Sequence, residues 1–236
     1  MSNFSKQENK ELLALYNDLR LADVRDGLDW MGYHHYGSVD PTIRPLYRTK
    51  AIGIAKTLRY LPFMGPDPTI QRGEAYEEWM GWYYNNVGLH PWVSEVEDGD
   101  FICADVSSVH VGLIGSENTL ACLIKGVRGF VVDGQTGIRD TDEVILQKVP
   151  CWSRGIGNSM VHCRLQYESH NKPIALGGCA VFPGDVIFAD GDGVLVVPRN
   201  IAKDVAKFAH KMLADDKITR RKHYEILGFK PDHTVI

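Results

Sequence analysis

The chain has 236 residues, 44% of them hydrophobic, enough to bury a sizeable core in one large domain or two small ones. A formal net charge of −4 leaves no basic surplus for gripping nucleic acid, although a local cationic pocket for a small anion stays open. No segment approaches the roughly 20 apolar residues that span a bilayer, and polar Met1–Glu11 lacks the apolar core of a signal peptide, so a soluble cytoplasmic protein is expected.

Leu12, Leu13, Leu15, Tyr16 and Leu19 fall at helical spacing and predict an amphipathic first helix. A second, short helix is expected to begin at Asp23 as N-cap and to stop at Gly32. Lys50–Leu58 reads as a strand, and the Pro- and Gly-rich stretch Leu61–Pro68 as a long loop. The aromatic-rich segment Tyr76–Tyr84 follows as a helix, with core packing or a subunit interface as the reading of its rings. Glu97–Asp100 is a turn into the strand Phe101–Val106, and Gly115 opens a helix over Ser116–Lys125 with Ser116 as its cap. Strands are expected at Gly129–Val132, around Pro173–Val181, at Asp185–Ala189 and at Gly193–Val197, before a closing helix from Asn200. Strands and helices alternate in the middle while the end is strand-rich, which describes a mixed α/β domain. The whole of 1–236 reads as one domain with a tail from about Thr219.

The five cysteines are scattered, odd in number and mostly in apolar surroundings, so buried reduced thiols are expected. The nine histidines lack the clustered spacing of a structural zinc site. The densest chemistry lies in Gly126–Gly134 followed by Gly137–Glu143: an apolar strand ends at Asp133-Gly134, and an adjacent Arg139 and Asp140 arrive at the start of a helix. A guanidinium fork clamps a carboxylate bidentately, and a neighbouring carboxylate can help hold a hard divalent ion. That pairing points to chemistry on an acidic keto compound. Asp185, Asp190 and Asp192 sit in Pro-Gly-Asp and Asp-Gly-Asp-Gly runs that are ordinary turn chemistry. His110 is a candidate general acid without an identifiable partner.

Four blocks occur in order: Asp23–Leu28, Gly115–Ala121, Val132-Asp133-Gly134 with Arg139-Asp140, and Pro183–Pro198. Together they resemble the family of regulator of ribonuclease activity A (RraA) and the 4-hydroxy-4-methyl-2-oxoglutarate/4-carboxy-4-hydroxy-2-oxoadipate aldolases. The resemblance implies an α/β/β/α sandwich of the swivelling β/β/α type, assembled as homotrimers or hexamers with sites between subunits. It also implies a magnesium or manganese ion serving retro-aldol cleavage or decarboxylation of a small 2-oxo acid to pyruvate or a related product. By that resemblance Arg139 binds the keto acid and steadies the enolate, and Asp140 anchors the metal. Gly115 opens the substrate-binding helix, where Ser116, Glu117 and Asn118 meet the substrate through its first turn. A helix N-terminus offers free N–H groups and positive dipole to an anion, in agreement. The aldolases usually carry an acidic residue directly after that glycine; here Ser116 stands there and Glu117 follows. A non-catalytic RraA-like protein-binding regulator is the alternative of a different class. A hydratase, isomerase or lyase of sugar-derived keto acids would use the same residues.

Overall fold

The computed structural model describes residues 4–65 and 72–236. Helix α1 (Lys6–Ala14) starts earlier than its apolar residues predict, because Ser5 and Glu8 form a capping box. Helix α2 (Leu21–Trp30) is capped by Arg20 rather than Asp23; the Asp23 carboxylate lies inside the first turn and accepts the Arg20 N–H at 2.8 Å. Strand β1 is the short Arg44–Pro45, and β2 (Ala51–Pro62) runs four residues beyond its expected end. Leu61 and Pro62 are therefore strand, while positions 66–68 of the expected loop lie outside the described residues, as do positions 1–3.

Helix α3 (Ala75–Asn86), strand β3 (Asp100–Asp105), helix α4 (Ser116–Ile124), strand β4 (Gly129–Asp133) and the short helix α5 (Thr141–Leu146) follow. Strands β5 (Cys151–Ser153) and β6 (Leu165–His170) carry no alternating pattern strong enough to be read beforehand. The single strand expected around 173–181 is a hairpin of β7 (Ile174–Leu176) and β8 (Cys179–Val181). Strands β9 (Val186–Asp190) and β10 (Gly193–Val197) lead to α6 (Ala202–Leu227), which stays helical past Thr219 until Gly228 caps it in the left-handed region.

The main sheet runs β1-β5-β4-β3-β2-β9-β10, with β6 also paired to β2. Strands β2 to β5 are parallel neighbours, and β9, β10 and β6 join antiparallel. Side chains alternate across a strand, and the core clusters follow that period of two. Phe101, Cys103, Val131, Ile187, Ala189, Val194 and Val196 share an inner cluster with the β7–β8 hairpin. Ile102, Ala104, Phe130 and Val132 point the other way, into a second cluster under α3 and α4. Val186, Phe188, Leu195 and Val197 meet α1, α2 and α6 in a third. The result is a curled, nearly closed sheet of mixed α/β type with helices outside it. Cys103, Cys122, Cys151 and Cys179 are buried, and burial pushes each thiol up.

Candidate active site

Arg139 and Asp140 owe their position to a small three-stranded arrangement beyond the end of β4. Ile138 is fully buried and bridges Ile114 on one side and Ile156 on the other, both parallel. The Arg139 N–H donates to Ile114 O at 2.9 Å, and Gly157 N–H donates to Ile138 O at 2.7 Å. The loop before Arg139 is thus pinned on both edges, and the two charged residues emerge beside the N-terminus of α4.

Asp140 is the N-cap of α5, yet its side chain makes no cap bond to that helix. Its backbone is left-handed, φ 53°, a conformation that aspartate tolerates better than most residues. The carboxylate turns instead toward α4: Oδ1 accepts Arg139 Nε–H at 3.0 Å, and Oδ2 faces the Ser116 N–H at 3.4 Å. Gly115, not Ser116, is the N-cap of α4. A Cβ at Gly115 would stand 2.4 Å from Asp140 Oδ2, and one at Gly112 would stand 2.7 Å from the Arg139 Cβ. The two glycines are what let the charged pair lie so close to the backbone.

These residues line a cavity of about 380 Å³ with Glu117, Asn118, Leu113, Met160, Val161, Tyr84 and His90. The first bond of the α4 ladder runs from Thr119 N–H to Gly115 O, so the Glu117 and Asn118 amides precede the ladder. Gly115, Glu117, Asn118, Arg139 and Asp140 are therefore brought together, and Ser116 joins them through its backbone amide. His110 is exposed and is not among the lining residues.

Two further lining residues are not legible as site material. Tyr84, from α3, and His90, from the loop after it, line the cavity, whereas Trp79 and Tyr83 of the same helix are buried in the core and Trp82 is exposed. Burial pushes the Tyr84 phenol up, and the nearby Arg139 charge pulls it partly back. The His90 ring lies 5.5 Å from the Tyr84 ring, and burial depresses its pKa to about 4. The only signal in the sequence was an aromatic helix that is apolar on more than one face.

Two of the other candidate aspartates are occupied with backbone. Asp185 accepts the N–H groups of Phe182 and Arg199, and Asp190 accepts those of Leu21 and Asp192. Among the described residues no group of three or more His, Cys, Asp or Glu could hold a metal ion. Two carboxylates, Asp140 and Glu117, do line the cavity. That donor set fits a hard ion such as magnesium, which keeps several waters and uses one or two carboxylates.

The RraA-like family (Aldolase/RraA) matches residues 21–196. This chain belongs to that family. A Halalkalibacterium halodurans protein provisionally named 4-hydroxy-4-methyl-2-oxoglutarate aldolase is 27% identical over 202 residues, 85% of this chain and 81% of its own. Protein DlpA of Legionella pneumophila is 28% identical over 185 residues, 78% of this chain; the match spans only 27% of DlpA. Among solved structures, Streptomyces coelicolor RraAS2, described as an unusual member of the RNase ES inhibitor RraA family, has a TM-score of 0.69 at 27% identity. That likeness covers 89% of this chain and 96% of RraAS2. Among the described residues no helix is long and apolar enough to cross a membrane.

Proposed function

We propose that the cavity is the active site of a divalent-metal-dependent carbon–carbon lyase acting on a small 2-oxo acid. The observation that carries this reading is the orientation of Asp140, a helix-capping residue whose carboxylate ignores its own helix. It lies between Arg139 and the α4 N-terminus over a glycine that leaves it room. The provisional name of the Halalkalibacterium halodurans relative supports the same reaction class.

Arg139 would bind the substrate's carboxylate and keto oxygen, and its fixed charge would stay beside that oxygen as it becomes an enolate. The Glu117 and Asn118 amides would hold a carboxylate at the helix start, where free N–H groups and the dipole favour an anion. Asp140, with Glu117 nearby, would hold magnesium or manganese. When bound, such an ion supplies Lewis-acid stabilisation of the developing negative charge. Asp140 would also keep the Arg139 guanidinium in register through the Nε–H bond. The Leu113, Met160 and Val161 side would limit the water that competes for those charges.

The test is pyruvate release from a panel of 2-oxo acids before and after chelation, with magnesium or manganese added back. Loss on chelation and recovery on metal addition is expected; full turnover by exhaustively chelated protein would refute the reading. The likeness to RraAS2 favours a second reading, a non-catalytic protein-binding regulator. Inertness of metal-loaded protein toward the whole panel would favour that one. Assembly as trimers or hexamers, expected from the family resemblance, is part of the proposal and is read by light scattering.

A further inference from the structure

Retro-aldol cleavage needs a group that takes the proton from the substrate hydroxyl, and the family-matched residues Arg139 and Asp140 hold charge without an obvious base. Tyr60 is fully buried, and three polar neighbours surround its hydroxyl. Trp92 Nε1 lies at 2.9 Å, the Leu89 carbonyl at 2.9 Å and His90 Nδ1 at 2.7 Å. An indole N–H can only donate, and a carbonyl oxygen can only accept. Tyr60 has a single proton, so the Leu89 contact is a hydrogen bond only when that proton points to Leu89. The tyrosine oxygen then has its lone pairs for Trp92 and for His90. Both contacts are satisfied only if His90 carries its proton on Nδ1. A neutral ring with Nδ1–H has a bare lone pair on Nε2, the ring nitrogen not held by Tyr60. The reverse tautomer would leave two acceptors, Leu89 O and Tyr60 Oη, facing each other without a proton in a buried site, at a cost of about 1–3 kcal/mol.

We infer that His90 is the general base for a hydroxyl on the substrate, held in its accepting tautomer by Tyr60. The inference rests on the lyase reading above and deepens it. His90 lines the same cavity as Arg139 and Asp140, with Tyr84 beside it. Its Nε2 takes the proton of the C4 hydroxyl, the C3–C4 bond breaks, and the C4 oxygen becomes a carbonyl. The released electron pair forms the C2–C3 double bond of an enolate, whose negative oxygen lies beside Arg139. The proton then returns from Nε2 to C3, giving a 2-oxo acid, the carbonyl compound formed at C4 and a neutral imidazole. For 4-hydroxy-4-methyl-2-oxoglutarate both products are pyruvate. Oxaloacetate decarboxylation reaches the same enolate by losing carbon dioxide and has no hydroxyl to deprotonate.

The two reactions therefore separate His90 from the rest of the site. In His90→Phe, kcat for 4-hydroxy-4-methyl-2-oxoglutarate should fall about 10²–10⁴-fold, and that for oxaloacetate by less than about tenfold. A merely structural role would lower both in parallel, and that outcome overturns the base assignment while leaving the lyase reading intact. Nitrogen NMR of the wild-type protein is the second measurement, independent of turnover and of whether the variant folds. It should report His90 with the proton on Nδ1, and a proton on Nε2 would overturn the inference. Tyr60→Phe should shift the ring toward the Nε2–H form and lower aldol cleavage selectively, as expected of a positioning residue. Wild-type protein inert toward both probes when metal-loaded would remove the lyase reading, and the base role with it, even with the Nδ1–H tautomer in place.

Discussion

The two walls of the cavity are built on different physics. The wall of α4, Arg139 and Asp140 is polar and backbone-anchored: glycines at Gly112 and Gly115 admit the charged pair, and bridges through Ile138 fix its loop. The wall of Tyr84 and His90 is an edge of the aromatic core, rigid because its rings pack on one another. Charge on the first wall has to be exact in angle and hydrogen bonding, while the second holds a neutral group in one protonation pattern. Damage to the first should stop all chemistry. Damage to the second should be selective.

The strongest break in that contrast is Asp140→Asn, which keeps shape but removes the charge facing α4 and Arg139. Turnover of every substrate should fall by about 10³-fold, the upper end for losing one preorganised electrostatic group, with metal affinity weakened in calorimetry. Arg139→Lys should follow closely, since a point charge cannot replace the planar fork. Gly115→Ala is next. The Gly115 backbone, φ −130° and ψ −178°, suits alanine, but the added methyl would displace the Asp140 carboxylate. A loss of about 10²-fold in kcat/KM, the usual cost of a 1 Å misplacement, with unchanged far-UV dichroism would mark the effect as local.

The aromatic wall has its own signature in pH. His90, pushed down to about 4 when folded, is protonated more readily in the unfolded chain, whose histidine titrates near 6.5. Unfolded protein therefore binds more protons between those values, and stability should fall as pH drops from about 6.5 to about 4. After allowance for solvent screening the loss is about 2 kcal/mol. Asp100, raised by burial to about 6, works in the opposite sense over the same window. The informative quantity is thus the difference between wild type and His90→Gln in urea titrations at pH 7 and pH 4.5, and equal slopes would contradict it. The smallest effect belongs to Trp82→Glu. Its ring is exposed, so the isolated chain should lose under about 0.5 kcal/mol. Light scattering would show whether an assembly depends on that ring.

Much of this was legible because the polar wall is written in short motifs. Gly115 and Arg139-Asp140 are local signals whose chemistry follows from residue type. The left-handed backbone of Asp140 and the preference of its side chain for α4 were not legible, since they depend on bridges among three segments distant in sequence. Residue type marks Asp23 and Ser116 as caps, but each lies inside its helix because a neighbour takes the cap position. β5 and β6 are not legible because one is three residues long and the other is irregularly buried. His90 was invisible for a different reason: nothing in Leu89-His90-Pro91 says that the ring meets Tyr60, thirty positions earlier.

The pairing of β2 with β6 is irregular at one point: Arg59 faces Ser169 and Tyr60 faces Tyr167, so Glu168 is skipped. An extra residue in one strand of an antiparallel pair shifts everything beyond it by one place. Tyr167 meets Tyr60 edge-on at 5.7 Å because of that shift, and Tyr60 in turn supports the imidazole. Chain length at this surface strand is therefore a tuning parameter for the cavity. Deleting Glu168 would straighten β6 while leaving Tyr167 opposite Tyr60, so the pairing would survive and only the local twist, and with it the aim of the rings toward His90, would change.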